Sequence, residues 1–568
     1  MPHLQRLYPH ESESVLAELL ALIEDYQPKG FETIDARWNE TDIMLITYGD
    51  SMIRAGEPPL ETLKVFVDHY LPGMINIIHV LPFFPYSSDG GFSVIDFRQV
   101  DPDLGEWRHI AQLAQDFKLM FDIVINHVSR ESRWFADYIS DIPPANGYFI
   151  EVDPQTDLSG VTRPRSSPVL ATINTPRGTK HVWATFSEDQ IDLNFSNPAV
   201  LLEMIDVVLG YLKAGAHLLR LDAIAFLWKE IGTPCVHLPQ THEVVKLLRD
   251  VVEYVKPGTI LLTETNVPTQ ENLSYFGNGD EAHMVYQFGL PPLLLYTFNR
   301  GTAEHLTQWA KDLPALSPGC TYLNFAASHD GIGLRALEGI LKPIEVGNLI
   351  ESMRSFGGFV SMKANPDGTD SPYEINIAFY DAMQGTRRGP DQWQLERFIC
   401  SQAIMLALQG LPAIYIHSLL ATPNYLKGVE LTGHTRNINR RKWDYEELRN
   451  LLDTENTPNH ECFLYYRRLL MLRINEPCFH PDNPQTVLDV DNHLFVMLRE
   501  CPQQGRRLLA VYNVTINTVS LETLVHLVEL QGISWYNLIE GELIDDEDPP
   551  VLDQVVHVPL VHPVGEHR

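Results

Sequence analysis

The sequence predicts an α/β protein whose main domain is a parallel (β/α)₈ barrel, and three observations lead to this prediction. Eight short apolar runs that are typical of buried strands alternate with amphipathic helical stretches. Four of these runs end in acidic, histidine or arginine residues, as expected where barrel strands open into active-site loops. No Gly-x-Gly-x-x-Gly motif follows any of the runs, which disfavours an open dinucleotide-binding sheet.

The elements follow in a regular order along the chain. The predicted strands are Ile43–Thr47, Ile75–Leu81, Met120–Ile125, His217–Leu221, Ile260–Thr263, His283–Gln287, Thr321–Ala326 and Ala413–Ile416. The predicted helices are Leu60–Tyr70, Trp107–Phe117, Pro198–Leu212, Glu243–Val255, Ala303–Asp312, Gln392–Leu408 and Cys462–Ile474. An apolar helical stretch, Val15–Ile23, precedes the first strand and predicts an N-terminal helical extension over residues 1–40.

Two connections in this order are too long for simple loops, so we expect two inserted subdomains. The first covers residues 128–193 after the third strand, and the second covers residues 331–380 after the seventh. The barrel itself then takes residues 41–127, 194–330 and 381–475. Beyond it, short runs such as Leu494–Leu498, Leu508–Tyr512 and Val555–Pro559 predict a C-terminal antiparallel β-domain over residues 476–568.

Composition excludes several classes of function. The 568 residues include 74 acidic and 42 basic side chains, for a net charge of −32, which repels nucleic acid and anionic membranes. The six cysteines are scattered without a C-x-x-C pair and are expected to be free thiols. No N-terminal signal segment and no apolar run of about 20 residues is present. We therefore expect a cytoplasmic monomer or homodimer with small-molecule substrates, no nucleic acid and no membrane.

The four polar strand ends carry the chemistry, and they are Asp122–His127, Leu219–Ala223, Thr263–Asn266 and Ser328–Asp330. A retaining glycosidase mechanism needs a carboxylate nucleophile and a protonated carboxylic acid about 5 Å apart. Asp222 and Glu264 end neighbouring strands, which lie about 4.8 Å apart. Arg220 points to the same side of its strand as Asp222, and its charge is expected to keep Asp222 ionised. Burial is expected to keep Glu264 partly protonated.

The remaining strand-end side chains are expected to support this pair. Asp330 is a third carboxylate that can bond sugar hydroxyls and help to distort the ring toward an oxocarbenium-like transition state. His127 and His329 are suited to donate hydrogen bonds to sugar hydroxyls. Asp122 is expected to orient its neighbours rather than to react.

These four segments resemble the signature regions of the α-amylase superfamily of glycoside hydrolases and transferases (glycoside hydrolase family thirteen). The resemblance implies that Asp222 is the nucleophile, Glu264 the general acid/base and Asp330 the transition-state stabiliser. It also implies that Arg220, His127 and His329 contact the donor sugar.

A finer resemblance is to the sucrose phosphorylase-like subfamily. Its shared segments are Leu45–Asp50, Leu81–Pro85, Ser88–Phe92, Arg163–Arg165, Leu290–Leu294, Ser328–Gly333 and Asn437–Arg440. The resemblance implies that Asp89 and Arg436 hold the distal hydroxyls of the glucosyl unit and that Phe186 lines the same subsite. It implies that inorganic phosphate attacks the glucosyl-enzyme to give α-D-glucose 1-phosphate, with no metal and no cofactor. Arg165 and Tyr373, one on each insertion, are the candidates for binding this phosphate.

The residues leave the acceptor open among glycerol, glycerate, fructose and fructose 6-phosphate. The acceptor segment, Asp367–Asn376, offers Asp370 and Glu374 but no lysine or arginine, although Lys363, Arg387 and Arg388 lie nearby in sequence. An anionic pocket disfavours glycerate and suits a neutral polyol. The prediction is therefore phosphorolysis of a glucosylglycerol. The alternatives are glucosylglycerate, sucrose or sucrose 6′-phosphate as substrate, and hydrolysis or transglucosylation as reaction.

Overall fold

The computed structural model describes residues 1–31, 34, 36–365, 369–520, 535–538, 542–544, 551–552 and 557–562. A closed barrel of eight parallel strands forms its centre, each strand pairing with its sequence neighbours. The strands, β1 to β8, are Met44–Thr47, Ile77–Val80, Lys118–Val124, Ala216–Asp222, Ile260–Thr263, Met284–Tyr286, Thr321–Phe325 and Leu411–Tyr415. The predicted fold class is confirmed, with shifts of a few residues at strand ends.

Helices surround the barrel and bury their apolar faces against it. They include Pro59–Tyr70, Trp107–Asp116, Pro198–Lys213, Pro239–Val255, Thr269–Leu273, Leu290–Arg300, Glu304–Asp312, Gln394–Ala407, Ile416–Leu419, Tyr445–Asp453 and Pro458–Ile474. All seven predicted helices are present. The sequence pattern missed Leu290–Arg300 because that helix is buried along almost its whole length, so no polar face marks its period.

The barrel strands are apolar on both faces because the side chains of one face fill the interior and those of the other pack under the helices. Strands β1, β2, β5 and β7 are buried at every position. Polar side chains are therefore costly within these strands unless they are paired. Those found at the strand ends need a structural or chemical partner.

The two insertions are small β-rich units at the ends of β3 and β7. The first contains two hairpin-like pairs, His127–Ser129 with Gln190–Asp192 and Leu170–Thr175 with Gly178–Trp183, and the helix Arg133–Ile139. The second contains the sheet Ile332–Gly333, Phe359–Ala364 and Asp370–Asn376 with the helix Pro343–Ser355, followed by the short helix Phe379–Ala382. Two short strand pairs, Met52–Ile53 with Trp443–Asp444 and Gly385–Thr386 with Gly389–Pro390, and the helix Leu426–Thr432 complete this face.

The chain ends extend the barrel at both termini. Helices Pro2–Leu7 and Ser12–Glu24 pack on the barrel helices through buried residues such as Leu4 and Val15. The C-terminal sheet is antiparallel, in the order Gln485–Leu488, Leu494–Cys501, Arg506–Asn513, His557–His562, Trp535–Asn537 and Glu542–Ile544. A separate pair joins Val519–Ser520 to Val551–Leu552. Of the strand predicted at Val555–Pro559, residues 555–556 lie outside the described residues. The exact domain limits stay a prediction.

All six cysteines are free and buried. Within the described ranges, no helix combines the length and the apolar composition needed to cross a membrane.

Candidate active site

A cavity of about 500 Å³ opens at the carboxyl ends of the barrel strands. Its floor carries Asp222, Glu264 and Asp330, and its walls come from both insertions. The cavity also takes in most of the other predicted site residues, namely Asp89, His127, Arg165, Phe186, His329, Tyr373, Glu374 and Arg436. Arg220 lies below them, buried beside Asp222. The fold thus brings together side chains from positions 89 to 436.

Asp222 ends β4 and is held by a buried chain of charges. Nη1 of Arg220 donates to Asp222 Oδ1 at 2.8 Å and also to Asp122 Oδ1. Asp122 accepts a second hydrogen bond, from Nε2 of His79, at 2.7 Å. The predicted same-side placement of Arg220 and Asp222 is confirmed by this contact, and Asp122 orients Arg220 as expected. Because Arg220 has two carboxylate partners, its position is over-determined.

Glu264, at the end of β5, lies next to this group. Its Oε2 accepts a hydrogen bond from the backbone N–H of Ala223 at 3.2 Å. Burial raises the pKa of Glu264 and of Asp222, and the charge of Glu264 adds to the rise at Asp222. The direct contact with Arg220 opposes these effects and favours the anion on Asp222, but the net shift in the pKa of Asp222 is upward.

The backbone between these two residues is strained. Ala223 has φ 53° and ψ 24°, in the left-handed region that costs an alanine about 1 kcal/mol. This conformation turns the chain sharply after Asp222 and aims the Ala223 N–H at Glu264. Strain of this kind persists where surrounding contacts enforce it, and it is concentrated at functional sites.

Asp330 forms a second charge cluster across the cavity. Nη1 of Arg436 lies 2.6 Å from Asp330 Oδ1, and Nη2 of Arg440 lies 3.7 Å from the same oxygen. Burial opposes ionisation, but Arg436, His329 and Arg440 outweigh it and lower the pKa of Asp330. Burial lowers the pKa of His329 far enough to keep its ring neutral. Asp330 is therefore a fixed anion at physiological pH.

Arg436 is itself clamped by a buried carboxylate. Its Nε and Nη2 donate to Glu374 Oε1 and Oε2 at 3.0 and 2.9 Å, a two-point ion pair. Glu374 is 2% exposed. Burial raises and Arg436 lowers the pKa of Glu374, with a net fall, so the residue is ionised. The expectation that Glu374 makes the acceptor pocket anionic is wrong, because Arg436 neutralises that carboxylate.

Asp89, His127 and Phe186 line the same cavity. Asp89 is in the left-handed region, at φ 52°, and its Oδ1 lies 3.8 Å from Arg436 Nη1. Nε2 of His127 donates to the Phe92 carbonyl at 2.9 Å, and the Phe186 ring lies 5.2 Å from the His127 ring. These side chains combine hydrogen-bonding edges with apolar faces, which is how proteins bind sugar rings.

Cations line the outer wall of the cavity. The guanidinium of Arg165 lies 5.4 Å from the centre of the Tyr373 ring. Arg163, Arg335 and Lys363 line the same cavity. In contrast, Asp370 is exposed and, like Arg387 and Arg388, does not line it. The cavity therefore receives cations from both insertions, which the acceptor segment Asp367–Asn376 alone does not reveal.

Several site residues escaped the sequence reasoning. They are His79, Phe92, Gln190, Asn266, Arg335 and Arg440. His79 is detectable as a lone polar residue in the apolar run Ile77–Val80. Asn266 lies in the polar strand end Thr263–Asn266 without an assigned role, whereas Arg335 carries no comparable signal, because its position depends on how an insertion folds over the barrel.

Comparison with known proteins agrees with this geometry. Residues 69–317 match the family described as Alpha amylase, catalytic domain. The chain is 46% identical to glucosylglycerate phosphorylase of Escherichia coli (strain K12), over 90% of the chain and 89% of that protein. It is 30% identical to glucosylglycerol phosphorylase of Marinobacter adhaerens, over 72% and 82%.

The crystal structure of sucrose 6F-phosphate phosphorylase from Thermoanaerobacter thermosaccharolyticum has the same fold. It superposes with a TM-score of 0.73 at 23% identity, covering 85% of this chain and 96% of that one. The two sequence relatives match 90% and 72% of the chain. The chain therefore belongs to the α-amylase family, in the group of its glycoside phosphorylases.

Proposed function

We propose that the protein catalyses the reversible phosphorolysis of α-D-glucosylglycerate, giving α-D-glucose 1-phosphate and glycerate with retained configuration. The observation that carries this proposal is the higher identity to glucosylglycerate phosphorylase than to glucosylglycerol phosphorylase, 46% against 30%. The proposal replaces the glycerol-specific enzyme that the sequence reasoning put first. Inorganic phosphate is a substrate, and the proposal needs no cofactor.

In the first half-reaction the glucosyl group moves to the enzyme. A carboxylate oxygen of Asp222 attacks the anomeric carbon while the bond from that carbon to the glycerate oxygen breaks. Glu264 gives its proton to the departing oxygen, so that neutral alcohol leaves rather than alkoxide. The raised pKa of Glu264 supports this role, because the group must hold a proton at neutral pH.

In the second half-reaction phosphate replaces glycerate. Glu264, now ionised, takes a proton from phosphate, and a phosphate oxygen attacks the anomeric carbon and releases Asp222. Arg165 and Tyr373 are the residues that we propose for phosphate. Arg165 forms no ion pair with a carboxylate among the described residues, so its charge is available to an anion.

During both steps the fixed charges stabilise the oxocarbenium-like transition state. Asp330 is held as an anion by Arg436 and Arg440, and it is suited to bond the sugar hydroxyls next to the reacting carbon. Asp89, His127, His329 and Phe186 are the proposed contacts of the glucosyl ring, and Arg220 holds Asp222 in place.

The acceptor assignment has a physical basis in the site. Glycerate carries a carboxylate, and a carboxylate needs cations around it. The neutralised Glu374 removes the argument for a neutral polyol, and Arg163, Arg335 and Lys363 supply positive charge at the cavity.

One assay tests the proposal. Purified enzyme is incubated with α-D-glucose 1-phosphate and glycerate, glycerol, fructose or fructose 6-phosphate in turn, and phosphate release is followed. We expect the highest kcat/KM with glycerate. A higher value with glycerol restores the alternative, and equal release without any acceptor identifies a hydrolase.

A further inference from the structure

We propose that Arg335 and Lys363 form the site that binds the carboxylate of the acceptor. This site is separate from Arg165 and Tyr373, the candidates for binding phosphate. This inference rests on the proposed function, because it names the part of the cavity that distinguishes glycerate from glycerol. Both cations lie on the insertion after β7, whereas Arg165 lies on the insertion after β3.

The first argument is incomplete charge compensation. The side chains of Arg335 and Lys363 are 19% and 22% exposed, so both charges are largely removed from water. Within the described ranges they share one carboxylate, Glu338, whose Oε1 lies 3.8 Å from Arg335 Nε and 3.9 Å from Lys363 Nζ. Glu338 is 54% exposed, so water screens its attraction. Among the residues that the structure describes, two cations and one anion leave one positive charge uncompensated, which matches the single negative charge of a carboxylate.

The second argument is an unused hydrogen-bond donor. Nε of Arg335 is buried and makes no hydrogen bond with the described part of the chain. A buried donor without a partner is costly, and such groups are usually satisfied by a ligand when they line a cavity. Burial and the nearby charge of Arg335 also lower the pKa of Lys363, so the unliganded site disfavours its second positive charge. A bound carboxylate relieves both costs.

The third argument is the path from these cations to the reacting atoms. Asn266 lies two residues after Glu264 and lines the same cavity, and its Oδ1 is buried without a hydrogen-bond partner. Its amide packs against Gly333, where an added Cβ would lie 2.4 Å from Asn266 Nδ2. Asn266 therefore occupies the space between the strand of Glu264 and the segment that leads to Arg335. Its free oxygen suits a hydroxyl of an acceptor whose carboxylate is bound by Arg335 and Lys363.

The test uses Lys363→Met and Arg335→Met, each measured with glycerate, with glycerol and with phosphate as the varied substrate. We expect the KM for glycerate to rise about 10- to 150-fold, the range for loss of one charge-assisted hydrogen bond. The KM for phosphate should stay near the wild-type value. Lys363→Arg and Arg335→Lys should recover part of the glycerate affinity. Arg354→Met is the matched control, since Arg354 lies on the helix of the same insertion and pairs with Glu351 at the surface.

The outcomes separate the two proposals. Wild-type enzyme that ignores glycerate overturns the proposed function. Wild-type enzyme that uses glycerate, with both Met variants keeping its KM, overturns this inference alone. An equal rise in the KM for phosphate also overturns it, because the cations then bind phosphate. Preference of the wild-type enzyme for fructose 6-phosphate assigns the same cations to a phosphate ester and overturns the carboxylate assignment.

Discussion

Replacing Glu374 by glutamine tests whether this residue positions Arg436 or contacts the acceptor. In the structure both carboxylate oxygens of Glu374 accept from Arg436, at 3.0 and 2.9 Å, and the residue is 2% exposed. A glutamine keeps the size and one acceptor oxygen but turns an amide NH₂ toward the guanidinium. One charge-assisted hydrogen bond of about 1.5–3 kcal/mol is lost, and Arg436 is left with Asp330 as its main partner.

We expect kcat/KM to fall roughly 10- to 150-fold, since each 1.4 kcal/mol corresponds to a factor of ten. The fall should be the same for glycerate and glycerol, because Arg436 and Asp330 are proposed to act on the glucosyl unit that all reactions share. Steady-state phosphate release with both acceptors provides the measurement, and Glu351→Gln, an exposed substitution on the same insertion, is the control. A fall confined to one acceptor would refute the reasoning, because it would make Glu374 an acceptor contact.

Four other outcomes follow from the same structure. Asp222→Ala should reduce phosphorolysis by at least about 10⁴-fold in phosphate-release assays, and retained activity would remove Asp222 as nucleophile. Burial raises the pKa of Glu264, and the rate should fall as pH rises through that pKa because the acid must be protonated. In Glu264→Gln, assayed with α-glucosyl fluoride, this fall at alkaline pH should vanish. If the fall persists in the variant, it belongs to another group. Gly333→Ala should displace Asn266 and lower kcat/KM. The control is Gly347→Ala, in a helix with open space around it, which should keep activity and raise the melting temperature. Equal kcat/KM values for the two variants would contradict the steric argument. Burial lowers the pKa of His283 from 6.5 to about 4. The free energy of unfolding should therefore fall by about 2 kcal/mol from pH 7 to pH 5, because only the unfolded chain takes up the proton in that range. The melting temperature should fall less between these pH values in His283→Asn than in the wild type, and equal falls would contradict this account.

Much of the fold was predictable because the barrel repeats one simple pattern. Each strand is an apolar run and four of the runs end in charged or histidine residues, and this pattern located all eight strands and the three carboxylates of the floor. The helix Leu290–Arg300 escaped because burial on all sides removes the periodicity on which sequence analysis depends.

The acceptor side was not predictable in the same way. The sequence shows that Glu374 is a carboxylate, but its effect on the charge of the pocket depends on Arg436, which lies 62 residues further along the chain. Lys363 lies outside the acceptor segment in sequence and Arg335 lies further from it, yet both line the cavity. Net charge in a pocket is set by three-dimensional pairing, and a local stretch of sequence does not reveal that pairing.

The hairpin formed by Phe359–Ala364 and Asp370–Asn376 has a consequence for how specificity can change in this group of enzymes. It carries Lys363 on one strand and both Tyr373 and Glu374 on the other. A substitution that alters acceptor choice on the first strand therefore acts beside the residue that fixes Arg436 on the second. Exchange of the whole hairpin between relatives should transfer acceptor preference together with the carboxylate that holds Arg436. Single substitutions should instead allow a new acceptor to react but lower kcat. Evolution of new acceptors is thus expected to proceed by replacement of this unit rather than by isolated point changes.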